Sequence, residues 1–221
     1  MSKILFKYPS RSRPNIFKRN IKSYISMLSG KHRYEFIVSM DNDERTMNNH
    51  NIKSFLNSFP DVKYFYDNNK CKVQACNANI EKAFEDWQIL VLVSDDMVPQ
   101  IQGYDDIIYQ EFISHFPDFN GALFFPDGRI DNGLNTISIM GRKLYDHFGY
   151  IYHPSYISLW CDNEYTDVLK SMNKLPFINK VIIKHKWVGE NCPDELHRKN
   201  ESYYSRDEQN YKTRKANGFP K

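Results

Sequence analysis

Short apolar segments that alternate with helical patterns are the feature of this 221-residue chain that most limits its fold. Residues 3–6, 35–40, 62–66 and 89–93 are strand-like. Between them, apolar side chains recur at helical spacing in 14–30 and 73–84, and 44–59 has the composition of a polar helix. Strands that alternate with helices are typical of βαβ units, which build a mainly parallel sheet covered on both faces. The sequence therefore predicts an α/β fold.

The pattern changes beyond residue 100. Residues 104–116 predict a helix, 122–125 and 136–140 two strands, 163–172 a helix and 181–184 a last strand. No internal repeat or low-complexity linker interrupts the sequence. We therefore expect one domain over residues 1–197, followed by a basic tail over 198–221 that is helical and packs on the domain.

Three of the predicted strands end in polar clusters. These clusters are the loop 8–13, Asp41-Asn42-Asp43 and Asp95-Asp96. In open parallel sheets, ligands bind in the crevice outside the carboxyl ends of the strands. One crevice lined by all three clusters is therefore the expected binding site.

The formal net charge of +3 hides a segregation of charge along the chain. Residues 1–33 carry +9, residues 34–197 carry −10 and residues 198–221 carry +4. Basic ends around an acidic centre suggest that the ends bind an anion and that the centre binds a cation, such as a metal. Ordinary solvated faces are the alternative explanation.

Signals of cellular compartment are weaker. The four cysteines show no CxxC spacing, so neither a zinc site nor a redox pair is indicated. The longest apolar run, 89–93, is far shorter than a membrane span, and residues 4–6 are too short for the core of a signal peptide. We therefore expect a soluble cytoplasmic protein without a membrane span.

Asp95 and Asp96 are the strongest chemical signal. Adjacent carboxylates at the end of a buried strand repel each other and lose solvation unless a cation or hydrogen-bond donors compensate them. Mg²⁺ and Mn²⁺ prefer such hard oxygen ligands, and either ion can in turn hold a diphosphate. The alternative is a solvated loop in which one of the two residues caps the following segment.

Asp162 and Glu164 lie at the start of a predicted helix, next to Trp160. Partial burial beside an aromatic ring would raise the pKa of a carboxyl group there, which suits a general base for an acceptor hydroxyl. The alternative is that these acids only complement the helix dipole in the first turn.

His185 and the loop 8–13 are further candidates. His185 ends an apolar strand, where a structural histidine is the alternative to a metal ligand; as a ligand it would favour Mn²⁺ over Mg²⁺. The loop offers backbone N–H groups, hydroxyls and guanidinium groups that suit a nucleotide base or phosphate. Neither GxGxxG nor GxxxxGK[ST] occurs, which argues against dinucleotide oxidoreductases and P-loop kinases.

Taken in order, these motifs resemble those of the GT-A glycosyltransferases, specifically the family 2-like branch. The resemblance covers residues 4–187. It implies a three-layer α/β sandwich with a mainly parallel central sheet. It also implies a nucleotide-diphosphate sugar donor, with a UDP-sugar favoured, and a divalent metal cofactor, with Mn²⁺ favoured over Mg²⁺.

The resemblance also implies roles for individual residues. Ser94-Asp95-Asp96 is similar to the family's Asp-x-Asp signature with Ser as its first residue, which makes Asp96 and His185 the metal ligands. Cys161-Asp162 stands where the family has a Glu-Asp pair, which makes Asp162 the base and leaves Glu164 as its rival. Ala75-Cys76-Asn77 is similar to an Ala-Arg-Asn motif in which Cys76 replaces the Arg and Lys72 is the substitute cation. The implied contacts to the nucleotide sugar are Tyr8, Pro9, Ser10, Arg11, Arg13, Asp41, Asp43, Lys72, Asn77 and Asp95.

An aromatic stretch before Asp162 suggests where the acceptor binds. Its members are Tyr150, Tyr152, His153 and Trp160. Sugars and flipped nucleobases both stack on aromatic rings, although such rings also fill cores. Together with the basic ends, this makes a hydroxymethylated DNA base a candidate acceptor, beside a saccharide, a lipid-linked molecule or a protein. The expected transfer inverts the anomeric configuration.

Two other classes of protein remain as alternatives. A sugar nucleotidyltransferase also needs a divalent metal on an α/β sheet, but its first strand is expected to be followed by a glycine-rich loop, and the loop 8–13 has no glycine. A nonenzymatic nucleic-acid-binding protein would explain the basic ends but would not require Asp95-Asp96.

Overall fold

A computed structural model describes residues 3–129, 132–186 and 194–220. Six strands form the central sheet in the order β3-β2-β1-β4-β7-β6, and β5 pairs with β8 in a separate two-stranded sheet. The bounds are β1 Lys3–Pro9, β2 Arg33–Asp41, β3 Val62–Asp67, β4 Ile89–Leu92, β5 Met97–Pro99, β6 Ala122–Leu123, β7 Ile139–Gly141 and β8 Ile183–His185. Strands β1 to β4 pair in parallel, whereas β7 pairs antiparallel with both β4 and β6. The predicted α/β class with a mainly parallel sheet is confirmed.

Helices cover both faces of the sheet. They are α1 Pro14–Ser26, α2 His50–Leu56, α3 Lys72–Asn77, α4 Tyr104–His115, α5 Arg142–Phe148, α6 Cys161–Ser171, α7 Glu195–Glu201 and α8 Tyr204–Ala216. One apolar core packs α1, α2 and α4 against the sheet, and a second packs α3, α5 and α6 against its other face. Alternation along β1 explains the division, because Ile4 and Phe6 enter the first core and Leu5 enters the second. The result is the expected three-layer sandwich.

Two predicted helices are shorter than expected. The 44–59 segment is helical only from His50 to Leu56, because Glu44 accepts local hydrogen bonds from the N–H and hydroxyl of Thr46. The 73–84 segment is helical from Lys72 to Asn77 and then forms a short 3₁₀ turn. Asn79, with φ of 65°, separates the two pieces.

The basic C-terminal segment forms helices that pack on the preceding ones. The expected boundary between residues 197 and 198 falls inside α7, which begins at Glu195 after the cap Asp194. Helix α8 packs on α6, and Arg214 makes an ion pair with Glu164 of that helix. Residues 187–193, where the sequence resemblance ends, lie outside the described residues.

None of the helices in the described ranges combines the length and the apolar character needed to cross a bilayer. The cytoplasmic location stays a prediction.

Candidate active site

A cavity of about 700 Å³ lies at the carboxyl ends of β1, β2 and β4. Its volume falls in the range of about 300–1,000 Å³ that is typical of small-molecule sites. Helix α3, the start of α6 and helix α7 complete its walls. Twelve of the residues predicted from the sequence line it: Pro9, Ser10, Arg11, Arg13, Asp41, Lys72, Asp95, Asp96, Tyr152, Trp160, Asp162 and His185.

Six predicted residues are not among those that line the cavity: Tyr8, Asp43, Asn77, Tyr150, His153 and Glu164. The alternation of β1 sends the Tyr8 ring into the core, where it packs edge-to-face on Phe17 at 5.2 Å between ring centroids. Asp43 is exposed and pairs with Arg11. Tyr150 packs on Phe148 and on the ring of His153.

Asn77 and Glu164 hold the fold together instead of facing the cavity. The Asn77 amide donates to the Tyr152 carbonyl (2.7 Å), and its oxygen accepts the N–H of Tyr152 (3.1 Å). Glu164 is buried and accepts two hydrogen bonds from Arg214 (2.7 and 2.8 Å) and one from the Tyr156 hydroxyl (2.7 Å). The rival base therefore points towards α8.

Arg11 and Asp41 form the end of the cavity nearest β2. Arg11 donates to the carboxylates of Asp41 (2.7 Å) and Asp43 (2.8 Å), and Asn69 donates to the second oxygen of Asp41 (3.0 Å). The hydrogen bond to Asp43 and that to Asp41 raise the pKa of Arg11 further, against the effect of burial. This polar cluster offers both donors and acceptors to a ligand base or ribose.

Asp96 and His185 meet where β5 pairs with β8, because the register places Met97 opposite His185. The Oδ2 atom of Asp96 lies 3.4 Å from Nε2 of His185. Burial raises the pKa of Asp96, but His185, Ser94 and Lys72 together lower it by more, so the net pKa lies well below the usual range. Burial lowers the pKa of His185, whereas Asp127 and Asp96 raise it to about 9.

The donor atoms of this pair fit a divalent metal. A carboxylate oxygen suits both Mg²⁺ and Mn²⁺, and an imidazole nitrogen favours Mn²⁺. Within the residues that the structure describes, no third His, Cys, Asp or Glu joins them to complete a ligand set. Asp96 and His185 would therefore hold the ion, with its other positions left to water and ligand oxygens.

Asp95 precedes Asp96 in the sequence and is buried. The Ser10 hydroxyl lies 3.0 Å from both of its carboxylate oxygens, and the Asn20 amide donates to its backbone carbonyl. Burial raises the pKa of Asp95 to about 7, with Ser10 opposing and Asp96 adding to the shift. These contacts fix the loop between β4 and β5, which carries Asp96.

Asp162 and Lys72 face the cavity from the first turns of α6 and α3. Asp162 accepts the N–H of Asn163 (3.1 Å). Burial raises the pKa of Asp162, and Lys72 partly opposes that shift. The Lys72 side chain is exposed, but its neighbours still desolvate it and lower its pKa; nearby thiols and the carboxylates of Asp162 and Asp96 raise that pKa by more. The cavity thus holds a weakened acid and a cation close together.

The sequence motifs missed one wall of the cavity. It is formed by the C-terminal segment through Leu196, His197, Lys199, Asn200, Glu201, Tyr203 and Tyr204. Arg13 ties this wall to the rest of the site by donating to Asp194 (2.7 Å), the cap of α7. Arg13 also lies 3.8 Å from Asp96. The only sequence signal for this wall was the excess of charge in the tail.

Comparisons with known proteins bear on the fold. No family model and no curated protein matches the chain. Among solved structures, the mannosyltransferase PcManGT from Pyrobaculum calidifontis, in complex with GDP-Man and Mn²⁺, is 11% identical over 85% of this chain and 58% of its own, with a TM-score of 0.65. TarS 1-349 from S. aureus is 13% identical over 84% of this chain and 60% of its own, with a TM-score of 0.61.

A Drosophila β1,4-galactosyltransferase 7 variant, in complex with manganese, UDP-Gal and xylobiose, is 13% identical over 91% of this chain and 75% of its own, with a TM-score of 0.55. The chain spans somewhat less than two thirds of the PcManGT and TarS chains. The order of the strands in the sheet and the cavity at its carboxyl edge are consistent with these structural likenesses. This chain has the fold of the GT-A glycosyltransferases.

Proposed function

We propose that this protein is a metal-dependent glycosyltransferase that moves a sugar from a nucleotide-diphosphate sugar to an acceptor hydroxyl, with inversion. The observation that carries the proposal is that one cavity contains the Asp96–His185 pair, the partly buried Asp162 and the cation Lys72. Structural neighbours in complex with GDP-Man and Mn²⁺, UDP-GlcNAc, or manganese and UDP-Gal support a nucleotide-sugar donor. A UDP-sugar and Mn²⁺ are the favoured pair.

The donor end of the cavity would bind the nucleotide through Arg11, Asp41 and Asn69. Arg13 and Lys72 also line the cavity and would face the diphosphate, where their charges would stabilise the negative charge that develops as this group leaves. A divalent ion held by Asp96 and His185 would supply further positive charge for the leaving diphosphate.

Asp162 would act as the base. It accepts the proton of the acceptor hydroxyl while that oxygen forms a bond to the anomeric carbon. The bond from the anomeric carbon to the diphosphate oxygen breaks, and its electron pair leaves with the diphosphate. Attack from the face opposite the leaving group inverts the anomeric configuration. Burial raises the pKa of Asp162, which brings its basicity closer to that needed near neutral pH.

A saccharide is the acceptor that the cavity supports best. The Trp160 ring lines the cavity beside Asp162 and packs edge-to-face on Tyr204, with 5.6 Å between centroids. Tyr204 is 46% exposed, so it offers an aromatic surface at which a sugar ring can stack.

The basic tail gives little support to a DNA acceptor. Its cations are largely used inside the molecule: Arg206 pairs with Asp207, Lys212 with Glu208, Arg214 with Glu164 and Lys215 with Asp167. Paired cations release fewer counterions from a nucleic acid, so they contribute less to its binding.

A thermal-shift and hydrolysis screen tests the proposal. The melting temperature would be measured with UDP, GDP, UDP-GlcNAc, UDP-Gal and GDP-Man, with and without Mn²⁺. We expect stabilisation by one nucleotide that depends on Mn²⁺ and is lost in Asp96→Ala and in His185→Ala. Asp162→Asn should keep that stabilisation but lose sugar transfer and donor hydrolysis. Stabilisation by duplex DNA alone, without any nucleotide effect, would contradict the proposal.

A further inference from the structure

Asp207 of helix α8 is a buried carboxylate that the proposed reaction does not use. It has no exposed surface, although it lies in a segment rich in charged residues. Its two oxygens accept three consecutive backbone N–H groups, from Ile157 (3.1 Å), Ser158 (2.8 Å) and Leu159 (3.0 Å). Charge-assisted hydrogen bonds of this kind are about twice as strong as neutral ones. Asp207 therefore clamps this turn, which we call the 157–159 turn.

The 157–159 turn leads directly into the proposed base. Trp160 follows it with φ of 62°, a left-handed conformation that costs a residue with a side chain roughly 1–2 kcal/mol. The next residue begins α6, and Asp162 lies in its first turn. A conformation of this cost persists only where surrounding contacts determine it, and the hydrogen bonds to Asp207 are such contacts.

The same turn also contacts helix α3, which forms another part of the cavity wall. The carbonyl of Ile157 accepts the N–H of Val73 (3.1 Å), which follows Lys72 in helix α3. One short turn thus joins the helix that carries the cation Lys72 to the helix that carries Asp162. Asp207 holds this turn from outside the cavity, because it is not among the residues that line it.

We infer that Asp207 is a positioning residue: by fixing the 157–159 turn, it determines the position of Asp162. Helix α8 thereby contributes to the geometry of the active site. This inference rests on the proposed role of Asp162. Misplacement of a reacting group by about 1 Å can cost about 100-fold in rate, so loss of the clamp should act mainly on turnover. Among the described residues, no hydrogen bond joins the donor end, formed by Arg11 and Asp41, to the turn, so donor affinity should change much less than kcat.

The contacts between helices α8 and α6 offer a control variant. Asp167 of α6 accepts hydrogen bonds from Tyr211 (2.6 Å) and Lys215 (2.7 Å) of α8, away from the 157–159 turn. Asp167→Ala therefore removes polar contacts between α8 and α6, the helix that directly follows the 157–159 turn, but leaves the clamp in place. A general weakening of the packing of α8 would affect both variants.

The test combines amide hydrogen exchange with kinetics. Exchange over residues 155–162 would be measured in the wild type, Asp207→Ala, Asp207→Asn and Asp167→Ala, well below their melting temperatures. Turnover and affinity would be measured with the UDP- or GDP-sugar and Mn²⁺ chosen by the screen. In Asp207→Ala we expect faster exchange of this segment and a fall in kcat of about ten-fold or more. The Kd of Asp207→Ala for the donor should stay within about two-fold of the wild-type value. Asp207→Asn should be intermediate, because its amide keeps one acceptor oxygen. Asp167→Ala should match the wild type.

Wild-type exchange in Asp207→Ala, or wild-type kcat despite faster exchange, would overturn the inference. An equal loss of kcat in Asp167→Ala would also overturn it, since the effect would then belong to helix packing in general. Failure of the proposed function has a different signature: Asp162→Asn would retain the wild-type kcat, or the wild-type protein would turn over none of the sugar nucleotides. Amide exchange still tests the clamp in that case.

Discussion

Lys7 is a buried ammonium group on the central strand of the sheet. It donates to the Ser39 hydroxyl, which in turn donates to Asn79, and the Asn79 amide donates to Asp67 (2.8 Å). Burial lowers the pKa of Lys7 to about 7, and the acidic groups nearby only partly oppose this shift. A single side chain therefore makes the stability of the whole fold depend on pH.

The pH dependence has a defined sign. An unfolded Lys keeps its usual pKa of about 10.4, so between pH 7 and 10 the unfolded chain binds the proton that folded Lys7 has released. The free energy of unfolding should therefore rise with pH in this window, by at most about 1.4 kcal/mol per pH unit. Urea unfolding of the wild type and of Lys7→Met at several pH values measures it. The difference between the two should change with pH; a constant difference would contradict the low pKa of Lys7.

Lys72 and Asp162 give a second prediction at the residue scale. The Lys72 cation lowers the pKa of Asp162, which burial otherwise raises. Lys72→Met should therefore move the acid limb of the kcat profile to higher pH, because Asp162 must be deprotonated to act as a base. The measurement is kcat against pH at saturating sugar nucleotide and Mn²⁺. An acid limb that stays in place would show that Asp162 does not set the profile or that Lys72 does not affect it.

Helix α6 separates two acidic residues by its geometry. Residues two positions apart on a helix of 3.6 residues per turn point about 200° apart, so only one of Asp162 and Glu164 can face the cavity. The structure gives that place to Asp162 and turns Glu164 towards Arg214, Tyr156 and α8. The two candidate bases therefore differ in what they contribute.

Substitution separates those contributions. Glu164→Gln leaves the Arg214 guanidinium nearly buried without its counter-charge, so we expect a loss of about 3 kcal/mol in the free energy of unfolding, with kcat retained. Asp162→Asn should leave stability almost unchanged and lower kcat by about 100-fold or more. Urea unfolding and sugar-nucleotide turnover on both variants provide the comparison. The reverse outcome would make Glu164 the base.

The whole molecule explains the charge pattern of the sequence. Cations of the two basic ends pair with acids of the centre: Lys3 with Asp86, Arg11 with Asp41, Lys31 with Asp106, Arg214 with Glu164 and Lys215 with Asp167. The segregation along the chain is thus partly neutralised inside one fold. A charge count detects such blocks, but it does not tell whether their partners belong to a ligand or to the same chain.

Periodicity predicted the sheet and most of its helices because strand and helix patterns are local properties. The clusters at the strand ends likewise predicted the cavity, since parallel strands bring their carboxyl ends together. Tyr8 was predicted to contact the nucleotide sugar, but its ring lies in the core. Side chains alternate along a strand, so Tyr8 lies on the same face of β1 as Ile4 and Phe6, and the alternation could have shown this. The places of Asn77 and Glu164 outside the cavity lining, and the wall formed by α7, were not predicted for another reason. Their environments depend on contacts between residues far apart in sequence.

The hydrogen bond from Arg13 to Asp194 joins residues 181 positions apart. A contact of such separation closes a loop of nearly the whole chain, and closing a long loop costs entropy. We therefore expect this contact to form late in folding, after the rest of the fold. During synthesis, moreover, the strand ends that carry Arg13, Asp41 and Asp96 leave the ribosome long before Asp194 does. The wall that encloses the cavity is thus among the last parts of the site to be assembled, and an incomplete chain has an open one.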